Sequence, residues 1–150
     1  MAKLKLGRDP MIADRPPVFT VRFLIALVAI ALGIAWIIYY YFGAREGLSG
    51  KQHGIDFIRR LGDWNYLIGF GLLFVGLIIS AHPNTPLGRG RGVVAGMLGC
   101  FILGLVWICV YYIFSNNLDS LWVFDDLGQK NLLVGIGFMA VGFAFATRWE

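Results

Sequence analysis

Residues 23–44 and residues 93–114 each run for 22 positions without an Asp, Glu, Lys, Arg or His. As α-helices rising about 1.5 Å per residue they reach about 33 Å, enough to cross a hydrocarbon core about 30 Å thick. Two more charge-free blocks, 64–81 and 131–147, hold 18 and 17 residues and need help from flanking interfacial side chains to cross. In lipid every backbone N–H and C=O must be paired within its own segment, so all four blocks are expected to be helices. Composition agrees, because a chain of 150 residues that is 58% hydrophobic and 15% charged lacks the polar surface of a soluble domain. The expected fold class is an all-α membrane protein with four transmembrane helices. The core of the first block exceeds a signal-peptide h-region, and no small-x-small site follows Tyr39, Tyr40, Tyr41 and Phe42, so it is read as a retained anchor.

An even number of spans puts both termini on one side. Lys3, Lys5, Arg8, Arg15, Arg22, Arg89, Arg91 and Arg148 then face Arg45, Lys51, Arg59, Arg60 and Lys130 across the bilayer, and eight bases against five predict both termini inside. The chain divides into a cytoplasmic tail (1–22), a first two-helix hairpin (23–81), an inner loop (82–92) and a second hairpin (93–150). Trp36, Tyr39 to Tyr41, Trp64, Tyr66, Trp107, Tyr111 and Tyr112 cluster at predicted helix ends and are expected to form an outer aromatic belt, with Trp149 anchoring the inner end. The basic tail is interleaved with Asp9, Asp14 and prolines, which favours a topology signal with weak lipid attraction over nucleic-acid binding. Residues 85–92 read as a short flexible loop without phosphate-binding spacing.

The chain repeats itself. A shift of 66 residues lays Leu61-Gly62-Asp63-Trp64-Asn65-Tyr66-Leu67-Ile68-Gly69-Phe70-Gly71 over Leu127-Gly128-Gln129-Lys130-Asn131-Leu132-Leu133-Val134-Gly135-Ile136-Gly137, and Gly76 over Gly142. A shift of 71 lays Gly33 over Gly104, Trp36 over Trp107 and Tyr40-Tyr41 over Tyr111-Tyr112. The unit is a two-helix hairpin, present twice in the same membrane orientation, so a parallel repeat packed as an intramolecular pseudo-dimer is expected. Small residues on one helix face mark candidate packing positions: Ala29 and Gly33 in the first block, Gly69 and Gly76 in the second, then Gly104, Gly135 and Gly142. Gly92, Gly96 and Gly99 have no match in the first block and are candidates for a partner.

Ahead of the second block, Ile55, Phe57, Ile58 and Leu61 read as a short interfacial helix matched by Leu121, Val123, Phe124 and Leu127. Within it, Arg59-Arg60 in the first copy stands where the second has Asp125-Asp126, so these charges are candidates for pairing the two halves. Chemistry for catalysis is missing. The blocks contain no charged side chain or histidine, and His53 and His82 lie at opposite ends with no ligand motif beside them, so no catalytic residue, metal or cofactor is expected. Cys100 and Cys109 are out of phase on one helix and are expected to stay free.

The stretch Leu61-Gly62-Asp63-Trp64-Asn65-Tyr66, opening a Gly-containing helix, resembles the actinobacterial cell-division family CrgA, small two-helix membrane proteins with a Leu-Gly-x-Trp-Asn-Tyr motif. The family's terminal Arg-Trp is matched by Arg148-Trp149. The chain departs from the family in carrying two hairpins, and in having Lys130-Asn131-Leu132 where the motif would repeat. The resemblance implies a non-enzymatic membrane adaptor at the division septum that contacts FtsZ-ring components and septal penicillin-binding proteins. Leu61, Gly62, Trp64, Asn65 and Tyr66 would be its partner or positioning motif. A small four-helix transporter is the alternative by size, but that class is expected to carry a membrane-embedded carboxylate. An accessory subunit of another membrane complex is a third reading.

Overall fold

The computed structural model describes residues 19–44, 55–117 and 121–148. The tail with Lys3, Lys5, Arg8, Asp9, Asp14 and Arg15, the loop residues Arg45, Lys51 and His53, and Asp119 and Trp149 lie outside the described residues. Among the described residues all regular structure is helical. Helix α1 (Val21–Tyr39) runs into a π-helical turn (Tyr40–Ala44), followed by the short α2 (Asp56–Leu61) and by α3 (Trp64–Ser80). The second half repeats the order with α4 (Arg91–Ile113), short α5 (Trp122–Leu127) and α6 (Lys130–Ala146). Two of these, Val21–Ala44 and Arg91–Ile113, are long and apolar enough to cross a membrane, whereas α3 and α6 are 17 residues each.

Within each half, the long helix packs along the full second helix, and α3 meets α6 at the centre. Glycine permits the close crossings. A methyl on Gly33 would sit 2.6 Å from the Gly69 carbonyl oxygen, and one on Gly104 would sit 2.6 Å from that of Gly135. A methyl on Gly69 would strike Ile37 Cγ1 at 2.4 Å, and one on Gly135 would strike Ile108 Cγ1 at 2.3 Å. Further down, Gly76 lies against the Ala26 backbone and Gly142 against that of Met97. Ala29 is half-buried; the small residue of α1 that faces Gly76 is the fully buried Ala26. Of the unmatched glycines, Gly96 accommodates the Phe145 ring and Gly92 the Pro86 carbonyl, which leaves Gly99 facing open space.

The loop between the halves is not the flexible connector its glycines suggest. Thr85 is fully buried and acts as its hub: Oγ1 donates to the His82 carbonyl at 2.8 Å and also meets the Ser80 carbonyl, while accepting from the Gly88 N–H at 3.1 Å. Thr20 Oγ1 donates to the Asn84 carbonyl at 2.9 Å, tying the start of α1 to the same loop. A side chain on Gly88 would collide with the His82 carbonyl, so this glycine serves packing rather than mobility.

Candidate interaction site at the heads of the second helices

The matched motif sits where each short helix turns into a second helix. Gly62 and Gly128 close α2 and α5 with φ of +50° and +47°, a backbone region that disfavours any side chain. The turn directs the next asparagine backwards. Asn65 Nδ2 donates to the carbonyls of Ile58 (2.7 Å) and Gly62 (2.8 Å), and Asn131 Nδ2 does the same to Phe124 and Gly128, both at 2.8 Å. Each asparagine therefore ties the head of its own helix to the end of the preceding short helix, as a second donor to the Gly62, Phe124 and Gly128 carbonyls, which also accept backbone N–H groups. Both side chains are completely buried.

Successive residues on a helix point in different directions, so the motif divides by role. Asn65 and Tyr66 face inward, Leu61 is half-buried, and Trp64 is exposed. The belt expectation divides the same way: Trp64 and Tyr112 are outward, but Tyr40 and Tyr66 are buried edge to face, with centroids 5.0 Å apart. Trp36 packs against the same core, and Trp107 stacks on Phe124 at 4.4 Å. The indole nitrogens of Trp36 and Trp107 are buried without a hydrogen-bond partner, as are the Oδ1 atoms of Asn65 and Asn131. These rings fill the core rather than face the interface.

Polar contacts join the halves here. Tyr66 Oη donates to Asp126 Oδ2 at 2.5 Å, and Lys130 Nζ meets Asp63 Oδ2 at 2.8 Å. Of the four charges singled out for pairing, Asp126 is thus engaged across the halves by a tyrosine, and Arg59 meets Asp56 of its own helix at 3.4 Å. Lys130 was not singled out in the sequence, although it stands at the position of Trp64 in the other copy; its pairing with Asp63 depends on how α3 and α6 lie side by side. Aromatic contacts add to the joint: Phe70 meets Trp107 at 5.7 Å and Phe74 meets Phe138 at 5.1 Å. Between the two helix heads lies a half-open groove of about 340 Å³, lined by Leu67, Phe70 and Gly71 of α3 and Leu133 and Val134 of α6, with Asp63 and Lys130 at its mouth.

At the other end of the bundle, Arg22 Nη1 contacts His82 Nε2. Partial desolvation, with the Arg22 and Arg148 guanidiniums nearby, holds His82 below its ordinary pKa. Among the described residues no group of three or more His, Cys, Asp or Glu side chains is placed to hold a metal, and both cysteines are free, Cys100 buried and Cys109 exposed.

The comparisons with known proteins follow the same division. The family model "Cell division protein CrgA" matches twice, over residues 9–82 and 85–150. A Cell division protein CrgA of Streptomyces avermitilis is 39% identical over 67 residues, which is 45% of this chain but 75% of the relative. That of Corynebacterium aurimucosum is 39% identical over 76 residues, 47% of this chain and 80% of its own length, and that of Corynebacterium glutamicum is 45% identical over 49 residues, 33% of this chain and 46% of its own. No solved structure matches the chain. Most of a relative fits into less than half of this chain, and the family pattern fits each half in turn: the chain belongs to the CrgA family of cell division proteins, as a tandem duplication of the family unit.

Proposed function

We propose that this protein is a non-enzymatic integral membrane adaptor of cell division, with four spans, that coordinates the FtsZ ring with septal peptidoglycan synthesis. The cell-division role comes from the family; the observation that carries the membrane reading is the distribution of apolar side chains. Large residues on α1 (Leu24, Ile25, Val28, Leu32) and on α4 (Ile102, Leu103, Leu105, Val106) point outward, a surface that is costly in water and suited to lipid. Arg22, Arg89, Arg91 and Arg148 lie around the end where the inner loop folds, which supports both termini being cytoplasmic. Residues 23–44, 64–81, 93–114 and 131–147 hold no charged side chain for proton-coupled transport or catalysis.

Partner contact is assigned to the head of the first repeat. Ile55, Phe57 and Trp64 are all exposed there, whereas their counterparts in the second repeat, Leu121, Val123 and Lys130, are half-buried or charged. Leu61, Gly62, Asn65 and Tyr66 act on this surface by shaping the turn beneath it. FtsZ-ring components and septal penicillin-binding proteins are the proposed partners. The test is imaging of a functional fluorescent fusion in the native host with FtsZ present and after its depletion. Septal enrichment lost on depletion supports the reading, and a uniform membrane signal in both conditions overturns it.

A further inference from the structure

The groove exists on one side of the pseudo-dimer because the repeats differ there. A Cβ on Gly137 of α6 would lie 2.5 Å from the Phe74 ring of α3, so the space over that glycine is filled. Its counterpart is Gly71, and the counterpart of Phe74 is Ala140, a side chain of one methyl. A Cβ on Gly71 meets nothing within 4 Å. The pseudo-symmetry that would close both sides closes one and leaves the other open as an apolar groove of about 340 Å³, toward the small end of ligand sites, which range from about 300 to 1,000 Å³.

The mouth carries one charge of each sign. Asp63 and Lys130, 2.8 Å apart, are each about half exposed, so both retain capacity for further partners. A purely anionic head would meet Lys130 but be repelled by Asp63, and a purely cationic one the reverse. A head with a phosphate and a primary ammonium satisfies both. Resting on the membrane reading above, we infer that this groove holds an acyl chain of a zwitterionic aminophospholipid, its phosphate on Lys130 and its ammonium on Asp63. The chain lies along Leu67, Phe70 and Leu133, past Gly71. The occupant is a bilayer lipid because the groove lies between helices whose exposed side chains, Leu67, Leu133 and Ile136 among them, are apolar, where lipid is the solvent.

The test uses the full chain in liposomes of phosphatidylethanolamine, phosphatidylglycerol or phosphatidylcholine, each with a trace of the same lipid bearing a photoactivatable acyl chain. Alkaline extraction comes first: release of the protein overturns the membrane reading and this inference with it. For embedded protein, ethanolamine-lipid label is expected to concentrate on peptides containing Leu67 and Leu133 at least fivefold over those containing Ile25 or Ile102, which are also exposed. Gly71→Leu, which fills the groove from open space and is expected to melt with the parent, should remove that enrichment. The pair Asp63→Asn with Lys130→Met should abolish the preference for the ethanolamine head while chain labelling persists. Unchanged labelling in Gly71→Leu, equal labelling by the glycerol lipid, or a protein rather than lipid crosslink from a photoreactive residue at position 67 in cells would each overturn the inference and leave the membrane reading standing.

Discussion

The two repeats agree at the closest glycine crossing and the asparagine turn inside each hairpin and differ at contacts made between them. Gly33 on Gly69 with Ile37 is reproduced residue for residue by Gly104 on Gly135 with Ile108, and the Gly62–Asn65 turn by Gly128–Asn131. Across the joint, Asp63, Tyr66, Phe70 and Phe74 correspond to Gln129, Leu132, Ile136 and Ala140, and Asp126 and Lys130 to Arg60 and Trp64. A symmetric dimer of identical units must use the same residues on both sides of its joint, whereas covalent linkage lets each side specialise. Pairing the first repeat with itself would set Tyr66 near Arg60 and Asp63 near Trp64. The joint observed sets a phenol on a carboxylate and a carboxylate on an ammonium.

The largest test of this contrast is within a hairpin. Gly69→Leu or Gly135→Leu forces a side chain into the facing helix and is expected to destabilise by about 3 kcal/mol or more, equally in the two halves, as read by thermal melting in detergent. Unequal losses would break the equivalence of the repeats. Next, Asn65→Ala and Asn131→Ala each remove two hydrogen bonds made by a fully buried amide and should cost about 1–3 kcal/mol, again alike. Across the joint the effects become one-sided: Tyr66→Phe removes a hydrogen bond to a carboxylate and should cost about 1.5–3 kcal/mol, while Leu132→Phe, at the matching position, removes none. Combining Tyr66→Phe with Asp126→Asn should be clearly less than additive.

Smaller still, Lys130→Met should cost at most about 1 kcal/mol, a loss that shrinks in high salt because the Asp63–Lys130 pair is half exposed. The smallest effect is pH-dependent. His82 is held below its ordinary pKa, so the folded chain resists a proton that the unfolded chain accepts. The stability this contributes is fully present above about pH 6.5 and is lost as pH falls through the lowered folded value. Melting followed from pH 7.5 downward should show the loss in the parent and not in His82→Gln.

Much of the molecule was legible in the sequence because its signals are local or periodic. Charge-free runs of fixed length gave the four long helices to within a few residues, and two offsets gave the duplication. The glycine turn could be placed but not its purpose: that Asn65 reaches back to the Ile58 carbonyl requires the backbone direction after Gly62, which residue order does not state. Reading residues 85–92 as flexible failed because loop glycines look alike whether they supply freedom or room, and the buried Thr85 hydroxyl is what distinguishes them. Trp36, Trp107, Tyr40 and Tyr66 read as a belt because aromatic residues near helix ends serve interfaces and cores equally well; only the packing of each ring against the neighbouring helix separates the two.

The sequence by itself determined that the chain is helical, duplicated and apolar enough to cross a membrane, since these follow from composition and spacing along one segment at a time. Which diverged residues face one another was decided only in three dimensions. Tyr66 and Asp126, or Asp63 and Lys130, are some sixty residues apart and meet because α3 and α6 lie side by side at the centre. That placement also decides that Phe74 covers Gly137 while Ala140 leaves Gly71 open, because a side chain fills a space only where a second helix brings the two together.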